Sequence, residues 1–172
     1  MFRALIISTG GTIEKTYCEM QGVLANNVSV LDVMLASLET GGVAISRLAL
    51  MNKDSLEMTP DDHQRITDAA VDGAKDHDGI VIVHGTDRLT VSGEAICARW
   101  SQPGAPRLPV VLTGAMRPYE LRRTDAVQNL TEALLAVQIL SPGVYAVLHN
   151  KVLAFPGVTK DNAHGTFVKS AV

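Results

Sequence analysis

The sequence predicts an α/β protein: one domain over residues 1–172, with a doubly wound, mostly parallel sheet flanked by helices. Three observations predict it. Apolar runs of strand length recur without polar alternation, the pattern of strands buried on both faces of a parallel sheet. Longer segments with helical spacing and recognisable ends lie between them, and the β-α-β-α order implies right-handed crossovers. Composition agrees, because 47% of the residues are hydrophobic, 19% charged and only 4% aromatic, so the core must be aliphatic.

Ala4–Ile7 is the first strand, and it empties into Ser8-Thr9-Gly10-Gly11-Thr12-Ile13. The two glycines, lacking a Cβ, allow a tight turn and close approach to a ligand. Ser29 is placed to cap a helix with the apolar face Val30, Leu31, Met34, Leu35 and Leu38, stopped by Gly41-Gly42. Val43–Leu50 is the second strand. Thr59-Pro60-Asp61-Asp62 then opens a helix with a capping hydroxyl, a proline at the first position and acids against the dipole. The β-branched run in Gly79–His84 is the third strand, Pro109–Thr113 the fourth and Val144–Leu148 the fifth. Val127, Leu130, Leu134 and Val137 form the stripe of a helix that ends near Ser141-Pro142-Gly143.

A net charge of −3 supplies no basic field for a phosphate backbone, which argues against nucleic acid as a partner. The two cysteines, Cys18 and Cys97, form no CxxC pair, and a reduced intracellular protein is expected. Arg3 precedes too short an apolar run for a secretory signal, and no stretch reaches the ~18 apolar residues of a membrane span. The expected location is the cytoplasm, without membrane contact.

In doubly wound sheets, ligands bind beyond the carboxyl ends of the strands. Those ends carry Thr9-Gly10-Gly11-Thr12, Met51-Asn52-Lys53-Asp54-Ser55, His84-Gly85-Thr86-Asp87 and Thr113-Gly114-Ala115-Met116-Arg117-Pro118. Their convergence predicts an active site with two hydroxyls, Thr12 and Thr86. A threonine is a poor nucleophile until a base takes its proton. No histidine stands in a GxSxG-type arrangement, whereas the Val158-Thr159-Lys160-Asp161-Asn162 stretch offers a lysine. Lys160 and Asp87 by themselves read more readily as a structural ion pair than as catalytic groups. There is no GxxxxGK[ST] and no GxGxxG, and His63, His77, His84, His149 and His164 lack metal-ligand spacing.

Taken in order, Thr9-Gly10-Gly11-Thr12-Ile13, His84-Gly85-Thr86-Asp87, Gly114-Ala115-Met116-Arg117-Pro118 and Val158-Thr159-Lys160 resemble the motifs of bacterial-type L-asparaginases. Asp54-Ser55 followed by Met58-Thr59-Pro60 resembles that family's substrate-serine loop. The resemblance implies conversion of L-asparagine and water to L-aspartate and ammonia through a threonine acyl-enzyme, with no cofactor and no metal. It makes Thr12 the nucleophile, with Thr86, Asp87 and Lys160 as a second hydroxyl-acid-base group. Ser55 would hold the α-carboxylate, Gly11, Gly85 and Ala115 would line the substrate site, and N–H groups near Gly11 and Thr86 would hold the oxyanion. A homo-oligomer, dimer or tetramer, is expected. The rival expectations are a non-catalytic amino-acid-sensing module and a glutaminase that supplies ammonia to a partner enzyme.

Three features depart from the family pattern. The family's loop tyrosine lies about a dozen residues beyond its nucleophile, and the nearby candidate here is Tyr17. The position after the substrate serine, acidic or amide in the family, is Leu56, with Glu57 next. Family members also continue past the segment resembling Phe167-Val168-Lys169-Ser170 into a smaller domain that lends an acid to a neighbouring site, whereas this sequence runs to Val172. Glu14, Glu19 or Glu57 is expected to stand in for that acid.

Overall fold

The computed structural model describes residues 1–170. Its first half comprises β1 (Phe2–Gly10), β2 (Thr16–Cys18), β3 (Val23–Ala25), α1 (Leu31–Ala36), β4 (Val43–Lys53), α2 (Pro60–Gly73) and β5 (Gly79–Val83). Then come α3 (Leu89–Trp100), β6 (Pro109–Thr113), α4 (Ala126–Ile139), β7 (Gly143–Leu148), β8 (Lys151–Ala154), β9 (Val158–Asp161) and β10 (Thr166–Lys169). The main sheet has six strands in the order β4-β1-β5-β6-β7-β8. All neighbours are parallel except β8, which pairs antiparallel with β7. The expected doubly wound sheet is present, and the order reverses between β1 and β5.

Every residue of β5 and β6 is buried, as their unbroken apolar runs require. Alternate residues of one strand serve opposite faces. Leu5 and Ile7 of β1 join Ile66 and Ala70 of α2 and Ile96 of α3 in one core. Ala4 and Ile6 join Leu31 and Met34 of α1 and Leu130, Leu134 and Val137 of α4 in the other. The second predicted strand is the exception. As β4 it forms the sheet edge, runs on to Lys53, and leaves Leu48 37% exposed.

α2 starts where its sequence directs. Thr59 and Asp62 exchange side-chain and backbone hydrogen bonds in a full capping box, with Pro60 opening the helix. The helix near Ser29 differs from expectation. It spans only Leu31–Ala36 and its cap is Val30; the Ser29 hydroxyl donates to the buried Glu14 carboxylate and keeps only a long contact, 3.4 Å, from the Leu31 N–H. A carboxylate 1% exposed needs that donor more than an exposed helix end does. The helix therefore ends well before Gly41-Gly42, which lead into β4.

α3, the β2–β3 hairpin, β8 and the β9–β10 hairpin were not anticipated. The short strands carry too few residues for a periodic signal. In α3, Gly93 weakens the helical pattern, yet a Cβ there would lie 2.1 Å from Cζ of Phe155. Close packing on Phe155 makes a glycine necessary within that helix. No helix among the described residues is long and apolar enough to cross a membrane.

Two measurements test the α2 start. Thr59→Ala should cost about 1 kcal/mol, seen as a fall in Tm of about 2–4 °C. The Lys53 ammonium and the Thr59 N–H hold the Asp62 carboxyl down to about 2. Its pKa is therefore lower in the folded than in the unfolded chain. This contribution should be complete above about pH 4 and fade as pH falls towards 2, and Asp62→Asn should flatten that limb of a stability–pH curve.

Candidate active site

β1 ends in a turn that its neighbours leave little room to vary. The Gly11 N–H donates to the Lys53 carbonyl at 2.8 Å, tying the turn to the end of β4. Gly11 has φ +82°, and a Cβ on it would lie 2.3 Å from Cα of Gly85. A Cβ on Gly85 would in turn lie 2.6 Å from both Cβ and Oγ of Ser55. The turns after β1 and β5 thus meet backbone to backbone, and the turn after β4 packs on them through the Ser55 side chain.

Thr12 follows, half-buried, at the head of a short 3₁₀ turn, Thr12–Glu14. Ile13 anchors that turn by complete burial, and its carbonyl accepts from the Tyr119 N–H at 3.2 Å. Glu14 is buried behind it and accepts from the Gly10 N–H at 3.2 Å. Burial pushes the Glu14 carboxyl up, against the pull of Ser29, Arg47 and the Gly10 N–H. Asn26, just beyond β3, donates to the Gly11 carbonyl at 2.9 Å and to Oδ1 of Asn52 at 3.1 Å, fastening the hairpin to the turn.

The turn after β5 carries the second group. Nζ of Lys160, reaching in from β9, lies 2.9 Å from Oγ1 of Thr86 and 2.7 Å from Oδ1 of Asp87. The lysine side chain is 16% exposed and the aspartate 39%, so the lysine is the better shielded partner. Its strand is held by β10, where Phe167 pairs with Lys160 in register and is fully buried. Ser55, 1% exposed, accepts from the Arg88 N–H at 3.3 Å. Beside it Asp54 accepts from Nζ of Lys15 at 2.6 Å, and that contact chiefly holds its carboxyl below the usual range. The Gly11 N–H is committed to Lys53, whereas the N–H groups of Thr12 and Thr86 meet no acceptor among the described residues.

The loop after β6 is fixed from below. Asp125 accepts from the Met116 and Arg117 N–H groups at 3.0 and 2.9 Å, and lies 2.7 Å from Nε2 of His149. Burial alone pushes the Asp125 carboxyl up, but these donors outweigh it and hold it low. Asn129 donates to the Gly114 carbonyl at 2.8 Å. Ala115, expected to line the substrate site, is fully buried with its side chain in the core.

The structure therefore unites Thr86, Asp87 and Lys160 by hydrogen bonds, and Gly11, Gly85 and Ser55 by packing. It does not join Tyr17 to them: Tyr17 is 56% exposed on β2, opposite Leu24. Glu19 is exposed, and Glu14 is spent on internal partners. Glu57 is exposed on a cleft of about 300 Å³ shared with Lys15, Asn26, Asn52 and Asp54. A larger cavity, about 540 Å³, lies at the opposite sheet edge around Trp100, Arg107 and Phe155, away from these turns. Lys15, Asn26, Asn129 and Asp125 carry no signal in the sequence, because their partners are 15 or more residues away or on loops without periodicity. Among the described residues no His, Cys, Asp and Glu cluster could hold a metal.

Fold and site together define a doubly wound α/β protein with a hydroxyl, lysine and carboxylate group on its carboxyl-edge turns. The chain belongs to the asparaginase family, whose N-terminal family model matches residues 3–168. An L-asparaginase of Thermococcus kodakarensis is 31% identical over 163 residues, covering 95% of this chain and 49% of that protein. The solved structure of the thermostable L-asparaginase from that organism superposes with a TM-score of 0.85 at 32% identity, covering 98% of this chain and 51% of the other. A glutamyl-tRNA(Gln) amidotransferase subunit of Haloquadratum walsbyi is 32% identical over 146 residues, 84% of this chain and 32% of that protein. The chain thus spans between about a third and a half of these curated relatives' lengths.

Gly85→Ala tests the stacking of the three turns. The added methyl must displace Ser55 or Gly11, so a loss of about 1–3 kcal/mol is expected in urea unfolding. Unchanged stability would mean that the turns part easily.

Proposed function

We propose that this chain is an amidohydrolase that converts L-asparagine and water to L-aspartate and ammonia through an acyl-enzyme on Thr12. The observation that carries the reading is Lys160 within hydrogen-bond reach of both Thr86 and Asp87, on a turn packed directly against the one bearing Thr12. A lysine amine poised on a hydroxyl can take up a proton and return it, and the carboxylate beside it stabilises the charged form.

In this mechanism the Thr12 hydroxyl attacks the side-chain amide carbon and passes its proton to the Thr86–Lys160 pair, with Lys160 as the uncharged amine, as the C–O bond forms. The oxygen that gains charge is held by the N–H groups of Thr12 and Thr86. Of the N–H groups near Gly11, that of Gly11 itself already serves Lys53, which leaves that of Thr12. The C–N bond then breaks, and the nitrogen leaves as ammonia with the added proton. Water attacks the resulting ester while the Thr86–Lys160 pair accepts its proton, and the Thr12 hydroxyl is restored with release of aspartate. Ser55 holds the substrate α-carboxylate, and the α-ammonium falls to Glu57, which lines one cleft with Asp54. Placement in the cytoplasm and assembly into a homo-oligomer belong to the same proposal.

A second reading, glutamine as the amide that is cleaved, draws on the similarity to the tRNA-dependent amidotransferase. The two substrates differ by one methylene, worth about 1–3 kcal/mol in a pocket. Ammonia release from each amide decides between them, and release from neither would overturn both. Thr12→Ala should lower kcat at least ~10³-fold in a protein of unchanged circular dichroism. Lys160→Met should lower it about 10²–10⁴-fold, and a rate near that of the parent would remove Lys160 from the mechanism.

A further inference from the structure

Beneath the Thr86 turn lies a buried chain of polar groups that the mechanism above does not use. His84 and Ser92 are both fully buried, and His63 is 6% exposed. Nδ1 of His84 lies 2.8 Å from the Gly85 carbonyl, and its Nε2 lies 2.9 Å from Oγ of Ser92. The same hydroxyl lies 2.7 Å from Nδ1 of His63. The two imidazoles stack with centroids 6.1 Å apart and planes 10° from parallel.

Chemistry fixes the direction of every bond in this chain. A carbonyl oxygen can only accept, so Nδ1 of His84 must carry the hydrogen. Burial drives His84 down to about 4, so its ring is neutral near pH 7 and holds that hydrogen alone. Nε2 is then a bare acceptor, and Ser92 must donate to it. The Ser92 oxygen in turn accepts from Nδ1–H of His63. Nε2 of His63 ends the chain as a buried acceptor without a partner among the described residues.

The consequence lies in the next peptide. In a trans peptide the C=O and N–H point in opposite directions within one plane. A Gly85 carbonyl drawn to His84 therefore aims the Thr86 N–H the other way, and that N–H meets no acceptor among the described residues. We propose that His63, Ser92 and His84 form a relay that sets the His84 tautomer and thereby aims the Thr86 N–H at the developing oxyanion. His84 is on this account a positioning residue. The catalytic part of the inference rests on the amidohydrolase reading; the bond directions do not.

Two measurements test the relay. Long-range ¹H–¹⁵N spectra of the resting protein near neutral pH should show His84 as the neutral Nδ1–H tautomer; the Nε2–H or charged form would overturn the proposal. In kinetics, His84→Leu should lower kcat about 10²-fold with KM within about threefold, as expected for a lost oxyanion donor. His84→Asn, whose amide N–H can replace Nδ1–H, should recover most of that loss. If His84→Leu does not fold, Ser92→Ala carries the test, with a several-fold fall in kcat at constant KM. Unchanged kcat in a folded variant, or a loss confined to KM, overturns the relay. A parent protein that releases no ammonia while showing the Nδ1–H tautomer would overturn the amidohydrolase reading and the oxyanion role with it, leaving the bond directions intact.

Discussion

Where Gly11 crosses Gly85, two backbones touch with no side chain between them, and a methyl on either would lie within 2.6 Å of an atom that cannot easily yield. That contact makes one body of the turns after β1, β5 and β4, because Gly85 presses equally on Ser55. Side chains at these positions would hold the strand ends apart.

The sheet explains why the contact falls there. Strand order reverses between β1 and β5, so the connections leaving them diverge to opposite faces and open a crevice at their carboxyl ends. Fully buried strands on both sides make this crevice rigid, since alternate residues of β1 and β5 are packed into different cores. The antiparallel hairpin of β9 and β10 then returns across the same end and delivers Lys160.

Much of the buried polar inventory serves to hold loops rather than to react. Asp125 gathers two peptide N–H groups and a histidine, Glu14 holds the start of its own turn, and His84 holds the Gly85 carbonyl. Each is a group whose burial is costly unless its partners are in place, so each favours a single loop arrangement. Such anchoring lets short glycine turns keep a defined shape without regular secondary structure.

The chain's local chemistry determined the buried strands, the α2 capping box and which residue types stand after each strand. Those features follow from periodicity and from bonds between residues a few positions apart, and they suffice for the fold class. The Lys160–Thr86 contact joins residues 74 apart and exists only once β9 crosses the sheet edge. Likewise the Ser29 hydroxyl gives its hydrogen to Glu14 because that carboxylate is buried beside it, and Tyr17 owes its exposed place to a hairpin of three-residue strands. Tertiary structure decided these matters because burial, which no short window of sequence records, determines where an unpaired polar group finds its partner.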